Sequence, residues 1–188
     1  MRIVAGRHRG RSLKTPNDLA VRPTADRTRE ALFNILVSGK LSEEGGSRLP
    51  DARVLDAFAG TGALGLEALS RGAAHAVFME NYAPAIEICR ANIANLGEGG
   101  RAELLACDVL HPRPAPEPCD LVFLDPPYNQ GFGEKAVIAL LKAGWIASDT
   151  LVSIELMKSE PFQTPAGFSE LDARTYGKAK LLFLRYEG

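Results

Sequence analysis

From residue 54 onward, short apolar runs alternate with segments whose apolar residues recur at helical spacing. The runs predict strands, and the segments between them predict helices, of which 62–71, 84–96 and 132–143 are the clearest. Strands that are apolar along their whole length are typical of parallel sheets covered on both faces. We therefore predict a doubly wound α/β domain, with strands at 54–58, 76–79, 102–106, 120–124 and 151–155.

Both ends of the chain add elements to this pattern. The tail, with apolar alternation at 170–176 and 180–186, predicts a terminal hairpin that completes a mostly parallel, seven-stranded sheet with an antiparallel C-terminal strand. The N-terminal section predicts a hairpin or extended arm over 1–23 and a helix over 25–38. We assign two parts: a small N-terminal extension, 1–39, and the main domain, 40–188.

The composition is that of one globular domain. The chain has 188 residues, of which 46% are hydrophobic, enough for a single well-buried core. Cys89, Cys107 and Cys119 form no C-x-x-C pair and have no histidine at metal-ligand spacing. We expect them to be buried, reduced thiols of a cytoplasmic protein. The N-terminus lacks a signal-peptide core, and no apolar run approaches the roughly 20 residues that span a bilayer, so neither secretion nor membrane insertion is expected.

Positive charge is concentrated at the N-terminus. Residues 1–29 hold eight basic residues against two acidic ones, whereas the remainder holds 14 basic and 21 acidic residues. A basic segment on an acidic body indicates a surface that meets a polyanion, although a solvated tail is the alternative. Guanidinium groups suit phosphate oxygens. The arginines expected to bind nucleic acid are Arg7, Arg9, Arg11, Arg22 and Arg27.

A glycine-rich turn follows the first predicted strand. Gly60, Gly62 and Gly65 form G-x-G-x-x-G, and Glu80 lies twenty positions after Gly60. This spacing matches a dinucleotide-binding fingerprint, so an NAD-dependent oxidoreductase is one interpretation. Asp56 favours another, because a carboxylate before the turn repels a pyrophosphate but attracts the ammonium group of a methionine moiety. We therefore favour S-adenosyl-L-methionine as the cofactor.

Acidic residues mark the edge of the predicted sheet where ligands bind in this fold. Asp56, Glu80, Asp108 and Asp125 are expected just past strand ends. Glu80 is expected to accept hydrogen bonds from ribose hydroxyls. Asp108 is expected to accept one from the adenine amine while Val109 packs on the ring. Helix capping or surface solvation is the alternative for Glu80 and Asp108.

The tetrapeptide Asp125-Pro126-Pro127-Tyr128 directly follows the apolar run 121–124. Methyl transfer to an exocyclic amine requires that the amine protons are held and that the nitrogen lone pair is aligned with the methyl group. The Asp125 carboxylate and the Pro126 carbonyl can accept those protons, and the prolines preset the backbone. Tyr128 can stack on an extruded base. The sequence predicts methylation of a base amine without a metal; a strand-terminating turn with a surface tyrosine is the alternative.

The glycine turn and this tetrapeptide resemble the first and fourth motifs of Rossmann-like class I methyltransferases that act on base amines. The tetrapeptide is shared with DNA adenine-N6 enzymes. The stretches 2–6, 9–11 and above all 22–34 resemble the RsmD family, and the similarity continues through 62–71 and 144–146. That family methylates a guanine N2 in bacterial small-subunit (16S) ribosomal RNA.

The resemblance implies roles for individual residues. Asp125 would be the catalytic carboxylate, with Pro126, Pro127 and Tyr128 completing the catalytic set, and 24–30 would close over the active site. Asn81 stands where many relatives have Asp. The implied cofactor-binding residues are Asp56, Phe58, Ala59, Gly60, Thr61, Gly62, Glu80, Asn81, Asp108 and Val109.

The same resemblance implies that ribosomal RNA is the partner. We expect a partly assembled small ribosomal subunit as substrate, because one short basic arm needs the folded shape of the RNA for specificity. We also expect a cytoplasmic monomer. The alternatives are a DNA adenine-N6 methyltransferase, an NAD-dependent oxidoreductase and a non-catalytic RNA-binding protein.

Overall fold

The computed structural model describes residues 1–16, 23–42 and 45–188, which form four helices and one seven-stranded sheet. The element bounds lie within two residues of those predicted from the sequence. The helices are α1 (Pro23–Val37), α2 (Ala63–Ser70), α3 (Ala83–Leu96) and α4 (Phe132–Lys142). The strands are β1 (Arg53–Ala57), β2 (His75–Glu80), β3 (Ala102–Ala106), β4 (Leu121–Leu124), β5 (Leu151–Met157), β6 (Phe168–Tyr176) and β7 (Ala179–Tyr186).

The strands are ordered β3-β2-β1-β4-β5-β7-β6 across the sheet. Strands β1 to β5 run parallel, whereas β7 pairs antiparallel with both β5 and β6. This arrangement confirms the predicted doubly wound, mostly parallel sheet with an antiparallel C-terminal hairpin. The strand order reverses between β1 and β4. Ligands in open α/β sheets bind beyond the carboxyl ends of the strands at such a switch point.

The register between β1 and β4 fixes which loops meet at that point. Val54 pairs with Leu121, and Ala57 pairs with Leu124. Residues that directly follow paired positions of parallel strands leave the sheet side by side. Phe58, which begins the glycine turn, and Asp125, which begins the tetrapeptide, are therefore brought together by strand pairing.

A separate hydrophobic core covers each face of the sheet. Side chains alternate between faces along a strand, so Val54 belongs to one core and Leu55 to the other. Helices α1, α2 and α3 contribute Leu32, Leu66 and Ile93, among others, to the first core, whereas α4 contributes Val137 and Leu140 to the second. This double coverage explains why the central strands are apolar along their whole length.

The N-terminal section packs against the first core. Ile3, Leu13 and Phe33 belong to the same hydrophobic cluster as the side chains from β1, α2 and α3. The arm folds back on itself, with an antiparallel bridge between Arg2 and Ser12. The division of the chain into 1–39 and 40–188 stays a prediction, and the shared cluster shows that the two parts are joined by apolar packing.

A buried carboxylate holds the arm in place. Glu67 on α2 accepts hydrogen bonds from the backbone N–H groups of Val4 and Ala5, at 2.8 and 3.0 Å, and from Nε of Arg71 at 2.7 Å. The guanidinium of Arg71 in turn lies 4.9 Å from the ring centroid of Phe33 on α1. The start of the chain is thus tied to both the first and the second helix.

Two expectations drawn from composition are tested by the fold. Cys89 and Cys119 are buried and unpaired. Cys107 is only half-buried, because it follows β3, which lies at the edge of the sheet; the expectation of three buried thiols is therefore wrong for Cys107. No helix in the described part of the chain is both long enough and apolar enough to cross a membrane.

Candidate active site

The glycine turn leaves β1 through an unusual backbone conformation. Phe58 has a φ of 63°, Gly60 has a φ of 54° and Gly62 has a φ of 79°. A positive φ at a phenylalanine is strained, and such residues cluster at functional sites. The Phe58 ring stacks on that of Phe132, at 6.4 Å between centroids and 3° between planes. The backbone of Gly60 stays open, because a Cβ added there would meet no protein atom nearer than 4.0 Å.

Asp56 lies inside β1, where it is 1% exposed, and not past the end of the strand as the sequence predicted. The strand continues to Ala57 because that residue still pairs with Leu124. The Asp56 Oδ2 atom accepts a hydrogen bond from the Gly65 N–H at 2.8 Å and so satisfies the N-terminus of α2. Burial raises the pKa of Asp56 to about 7, with the nearby charge of Glu80 adding to the rise, while the Gly65 hydrogen bond opposes it.

Glu80, the last residue of β2, shapes the turn from the neighbouring strand. Its Oε2 accepts from the Gly60 N–H at 2.8 Å, and its Oε1 accepts from the N–H groups of Asn81 and Tyr82, both at 2.9 Å. Each carboxylate oxygen can accept two hydrogen bonds. Oε2 therefore keeps capacity for a ligand hydroxyl, so the predicted ribose contact is compatible with the observed bonds. The Asn81 side chain is exposed.

Asp108 is two residues past the end of β3 and organises a turn. Its carboxylate accepts from the Leu110 N–H at 2.9 Å and lies 3.0 Å from Nδ1 of His111. The Leu110 hydrogen bond, followed by the His111 contact, lowers the pKa of Asp108. Val109 beside it is buried. Asp108 therefore caps a turn and not a helix, and its contact with an adenine amine stays a prediction.

Asp125 faces a second carboxylate that the sequence analysis did not single out. Glu155, on β5, receives a hydrogen bond from the hydroxyl of Tyr128 to its Oε1 at 2.5 Å. The surrounding protein, then the negative charges of Glu155 and Asp56, raise the pKa of Asp125. Asp125 keeps accessible surface in the cleft, so water moderates this rise. Burial also raises the pKa of Glu155, whereas the Tyr128 hydrogen bond lowers it.

A third carboxylate holds the loop after the tetrapeptide. Glu160 is buried, and it accepts from the N–H groups of Asn129, at 2.8 Å, and Gly131, at 3.3 Å. Both donors have positive φ values, 59° and 62°. Within the tetrapeptide, Pro126 is buried and Pro127 is exposed. The loop is thus fixed at both ends, by β4 and by Glu160.

The glycine turn and Asp125 open into one cavity of about 150 Å³ at the β1/β4 switch point. Two larger cavities, of about 450 and 540 Å³, lie along α4, and no residue of the glycine turn lines either of them. Chemistry rather than volume therefore identifies the site. The cavity at the switch point is lined by Met1, Arg29, Asp56, Phe58, Ala59, Gly60, Thr61, Ala63, Leu64, Asp125 and Glu155.

Some of the predicted site residues line the cavity, together with residues that were not predicted. Five lining residues are not among the predicted site residues: Met1, Arg29, Ala63, Leu64 and Glu155. The signal for Glu155 was available, because it is an acid toward the carboxyl end of a strand that neighbours β4. Predicted residues that are not among those lining the cavity are Gly62, Glu80, Asn81, Asp108, Val109, Pro126, Pro127 and Tyr128.

The predicted RNA-binding arginines differ in their surroundings. Arg7 donates from Nε to Oε1 of buried Glu98 at 3.0 Å, and Arg11 donates to the Asn95 carbonyl at 2.8 Å. Arg9 and Arg27 are exposed, whereas Arg22 lies outside the described residues. Within the arm, Arg9 is therefore exposed, whereas Arg7 and Arg11 attach the arm to α3 and to the turn that follows it.

The described part of the chain contains neither a cluster of metal-binding side chains nor a complete cover over the cavity. Among residues 1–16, 23–42 and 45–188, no group of three or more His, Cys, Asp or Glu side chains is placed to hold a metal ion. Within the predicted cover, 24–30, Arg29 lines the cavity while Arg27 and Glu30 are exposed. The side chains of 24–26 lie outside the description, so closure by this segment stays a prediction.

Comparison with known proteins extends over almost the whole chain. The model of the family described as "Conserved hypothetical protein 95" matches residues 1–185. Ribosomal RNA small subunit methyltransferase D of Escherichia coli is 37% identical over 155 residues, covering 82% of this chain and 74% of the relative. The Haemophilus influenzae protein of the same name is 35% identical over 182 residues, covering 94% and 89%. A solved Escherichia coli structure covers 100% of this chain and 98% of its own, with 34% identity and a TM-score of 0.82.

Proposed function

Because the chain belongs to the family described as conserved hypothetical protein 95, the RsmD family, and has the class I methyltransferase fold, we propose that it methylates small-subunit ribosomal RNA. The methyl group comes from S-adenosyl-L-methionine and goes to the exocyclic N2 amine of a guanine. The observation that carries this proposal is that Asp125 and the glycine turn open into the same cavity.

The residues around the turn fit an adenosyl cofactor. The open backbone at Gly60 admits close approach of a ligand, and the carboxylate of Glu80 has capacity for a ribose hydroxyl. Asp56 attracts the ammonium of the methionine moiety, while Asp108 and Val109 are assigned to the adenine. Bound there, the cofactor supplies a methyl group made electrophilic by a positively charged sulfur.

The tetrapeptide is assigned to the target amine. The Asp125 carboxylate and the Pro126 carbonyl accept the two amine protons, which orients the nitrogen lone pair. Negative charge on Asp125 and Glu155 stabilises the positive charge that develops on the nitrogen during transfer. The raised pKa of Asp125 suits a group that takes up the proton released by the amine. Tyr128 stacks on the base while its hydroxyl stays bound to Glu155.

The RNA approaches over the N-terminal section. Exposed Arg9 and Arg27 supply phosphate contacts, and Arg22 is assigned the same role. A short basic surface gives little sequence specificity, so the proposed substrate is the folded RNA of a partly assembled small subunit, and the enzyme acts as a cytoplasmic monomer.

Two enzymatic rivals share parts of the site. A DNA adenine-N6 methyltransferase would use the same tetrapeptide, but two relatives that match most of this chain are named for ribosomal RNA. An NAD-dependent oxidoreductase would place a pyrophosphate beside Asp56, Asp125 and Glu155, all of which line the cavity and repel it. A non-catalytic RNA-binding protein would not depend on Asp125.

The test is mass spectrometry of nucleosides from ribosomal RNA, and separately from DNA, of cells with and without the gene. Loss of N2-methylguanosine from small-subunit RNA, restored by the wild-type gene, is expected. Asp125→Ala should restore less than a tenth of it, whereas Glu87→Ala, an exposed carboxylate on α3, should restore it fully. Restoration by Asp125→Ala would favour the non-catalytic reading, and loss of N6-methyladenine from DNA would favour the DNA enzyme.

A further inference from the structure

Arg29 is a buried cation that lines the same cavity as three carboxylates. It lies on α1, is 6% exposed and lines the same cavity as Asp56, Asp125 and Glu155. Its Nη2 donates to the backbone carbonyl of Arg2 at 2.9 Å. A guanidinium has five N–H donors, and a bidentate contact with a carboxylate uses two of them.

The charges of the cavity match those of the cofactor's amino-acid part. The sulfonium and the ammonium are positive and suit the carboxylates, but the α-carboxylate is negative and needs donors of its own. A helix N-terminus is a common anion site. At α2, however, the Gly65 N–H already donates to the Asp56 carboxylate, so a second negative group there would meet a like charge.

Arg29 supplies the positive charge and the hydrogen-bond donors for the α-carboxylate that the N-terminus of α2 does not. Among the described residues that line the cavity, it bears the one cationic side chain. A planar guanidinium binds a carboxylate through two parallel hydrogen bonds, which fix orientation as well as position. Placed between the arm and the glycine turn, such a pair would set the direction in which the methyl group points.

We propose that Arg29 binds the α-carboxylate of the methionine moiety of S-adenosyl-L-methionine. This assignment rests on the proposed function and adds to it a residue from the N-terminal section. Cofactor binding then involves α1 as well as the sheet, so the segment that faces the RNA and the segment that holds the methyl donor share one helix.

Calorimetry with truncated ligands tests the assignment without any measurement of methylation. S-adenosylhomocysteine carries the α-carboxylate, whereas 5′-methylthioadenosine lacks the amino-acid part. Arg29→Met should weaken binding of S-adenosylhomocysteine about tenfold or more, and change binding of 5′-methylthioadenosine less than about threefold. Arg29→Lys should fall between the wild type and Arg29→Met for S-adenosylhomocysteine, because it keeps the charge and loses the paired geometry. Arg90→Met, an exposed arginine on α3, should change neither affinity.

The outcomes separate this proposal from the proposed function. Equal losses for both ligands, or no loss for S-adenosylhomocysteine, would overturn the assignment of Arg29. Failure of the wild type to bind S-adenosylhomocysteine would instead overturn the cofactor of the proposed function. Should Arg29→Met fail to fold, the wild type alone decides: decarboxylated S-adenosylhomocysteine should bind at least about tenfold more weakly than the intact ligand, and equal affinity would end the proposal.

Discussion

The hydroxyl of Tyr128 donates to Oε1 of Glu155 at 2.5 Å, which ties the end of the Asp125–Tyr128 tetrapeptide to the neighbouring strand β5. The bond does two things at once. It holds the ring that is proposed to stack on the base, and it lowers the pKa of a carboxylate that burial otherwise raises. Stacking geometry and the charge of the cavity are therefore coupled through one side chain.

Tyr128→Phe keeps the ring and removes this bond. The pKa of Glu155 should rise, so the acidic limb of the pH–rate profile should move to higher pH by about one unit. Activity at pH 7 should fall and recover as the pH is raised. The measurement is single-turnover methylation of small-subunit particles between pH 6 and pH 9. Tyr82→Phe, at an exposed tyrosine, is the matched control, and an unshifted profile for Tyr128→Phe would refute the coupling.

Asp56→Asn should separate stability from ligand binding. Folding raises the pKa of Asp56 from 3.8 to about 7, so its stabilising contribution is full below pH 3.8 and is lost as the pH rises through about 7. The variant has no such charge, and its side-chain oxygen can still accept from Gly65. Its melting temperature relative to the wild type should therefore be higher at pH 8 than at pH 5.

Thermal unfolding without ligand at the two pH values measures this difference. Calorimetry should show weaker binding of S-adenosylhomocysteine to Asp56→Asn, because the ammonium loses its partner. Asp172→Asn, on the outer strand β6, is the control. A melting difference that is the same at pH 5 and pH 8 would show that Asp56 has an ordinary pKa.

Asn92→Ala should loosen the N-terminal arm and the glycine turn together. The buried Asn92 amide accepts from the Lys14 N–H at 2.7 Å and donates to the carbonyls of Lys14, at 3.1 Å, and Thr61, at 2.9 Å. Its loss leaves these groups without that partner, so the free energy of unfolding should fall by about 1–3 kcal/mol. Urea denaturation measures the loss, and hydrogen exchange should quicken in residues 1–16. Asn95→Ala, exposed on the same helix, should leave both unchanged; equal effects of the two variants would argue against the link.

Gly65→Ala tests the packing behind the glycine turn. An added Cβ would lie 2.4 Å from Cε1 of Phe78, in the first core, so either the ring or the helix must move. The free energy of unfolding should fall by about 1–3 kcal/mol. At Gly99 an added Cβ meets nothing within 4 Å, and Gly99→Ala should stay within about 0.5 kcal/mol of the wild type. Comparable denaturation midpoints would show that α2 adjusts freely.

Local periodicity sufficed to predict the elements of the fold, and long-range pairing decided where some of them end. The bounds of β3, 102–106, agree fully with the prediction. Strand β5 runs two residues beyond its predicted end, because Met157 still pairs with Ala179 of β7. Such pairing joins segments far apart in the chain, so no short window of sequence contains it.

The residues of the candidate site differ in the same way: local sequence predicts some of them, and only long-range packing explains the others. The glycine turn and Asp125 follow directly from local patterns, because each lies next to the strand that positions it. Arg29 reaches the cavity from α1 only through tertiary packing. Arg7 was predicted to face a phosphate, yet its guanidinium pairs with buried Glu98, far away in the sequence. Sequence patterns do not predict charge pairs of this kind, because the two residues are far apart along the chain and meet only in the folded protein.

The pairing of Ala57 with Leu124 also determines where evolution can change the length of the chain. Since the ladder between β1 and β4 sets the position of Asp125, insertions in the more exposed part of the connection, 111–118, can be absorbed at the surface without displacing that carboxylate. A single residue added within Leu121–Leu124 would instead turn every later side chain of the strand to the opposite face. Variable length before this strand and invariant length within it are therefore expected among homologues.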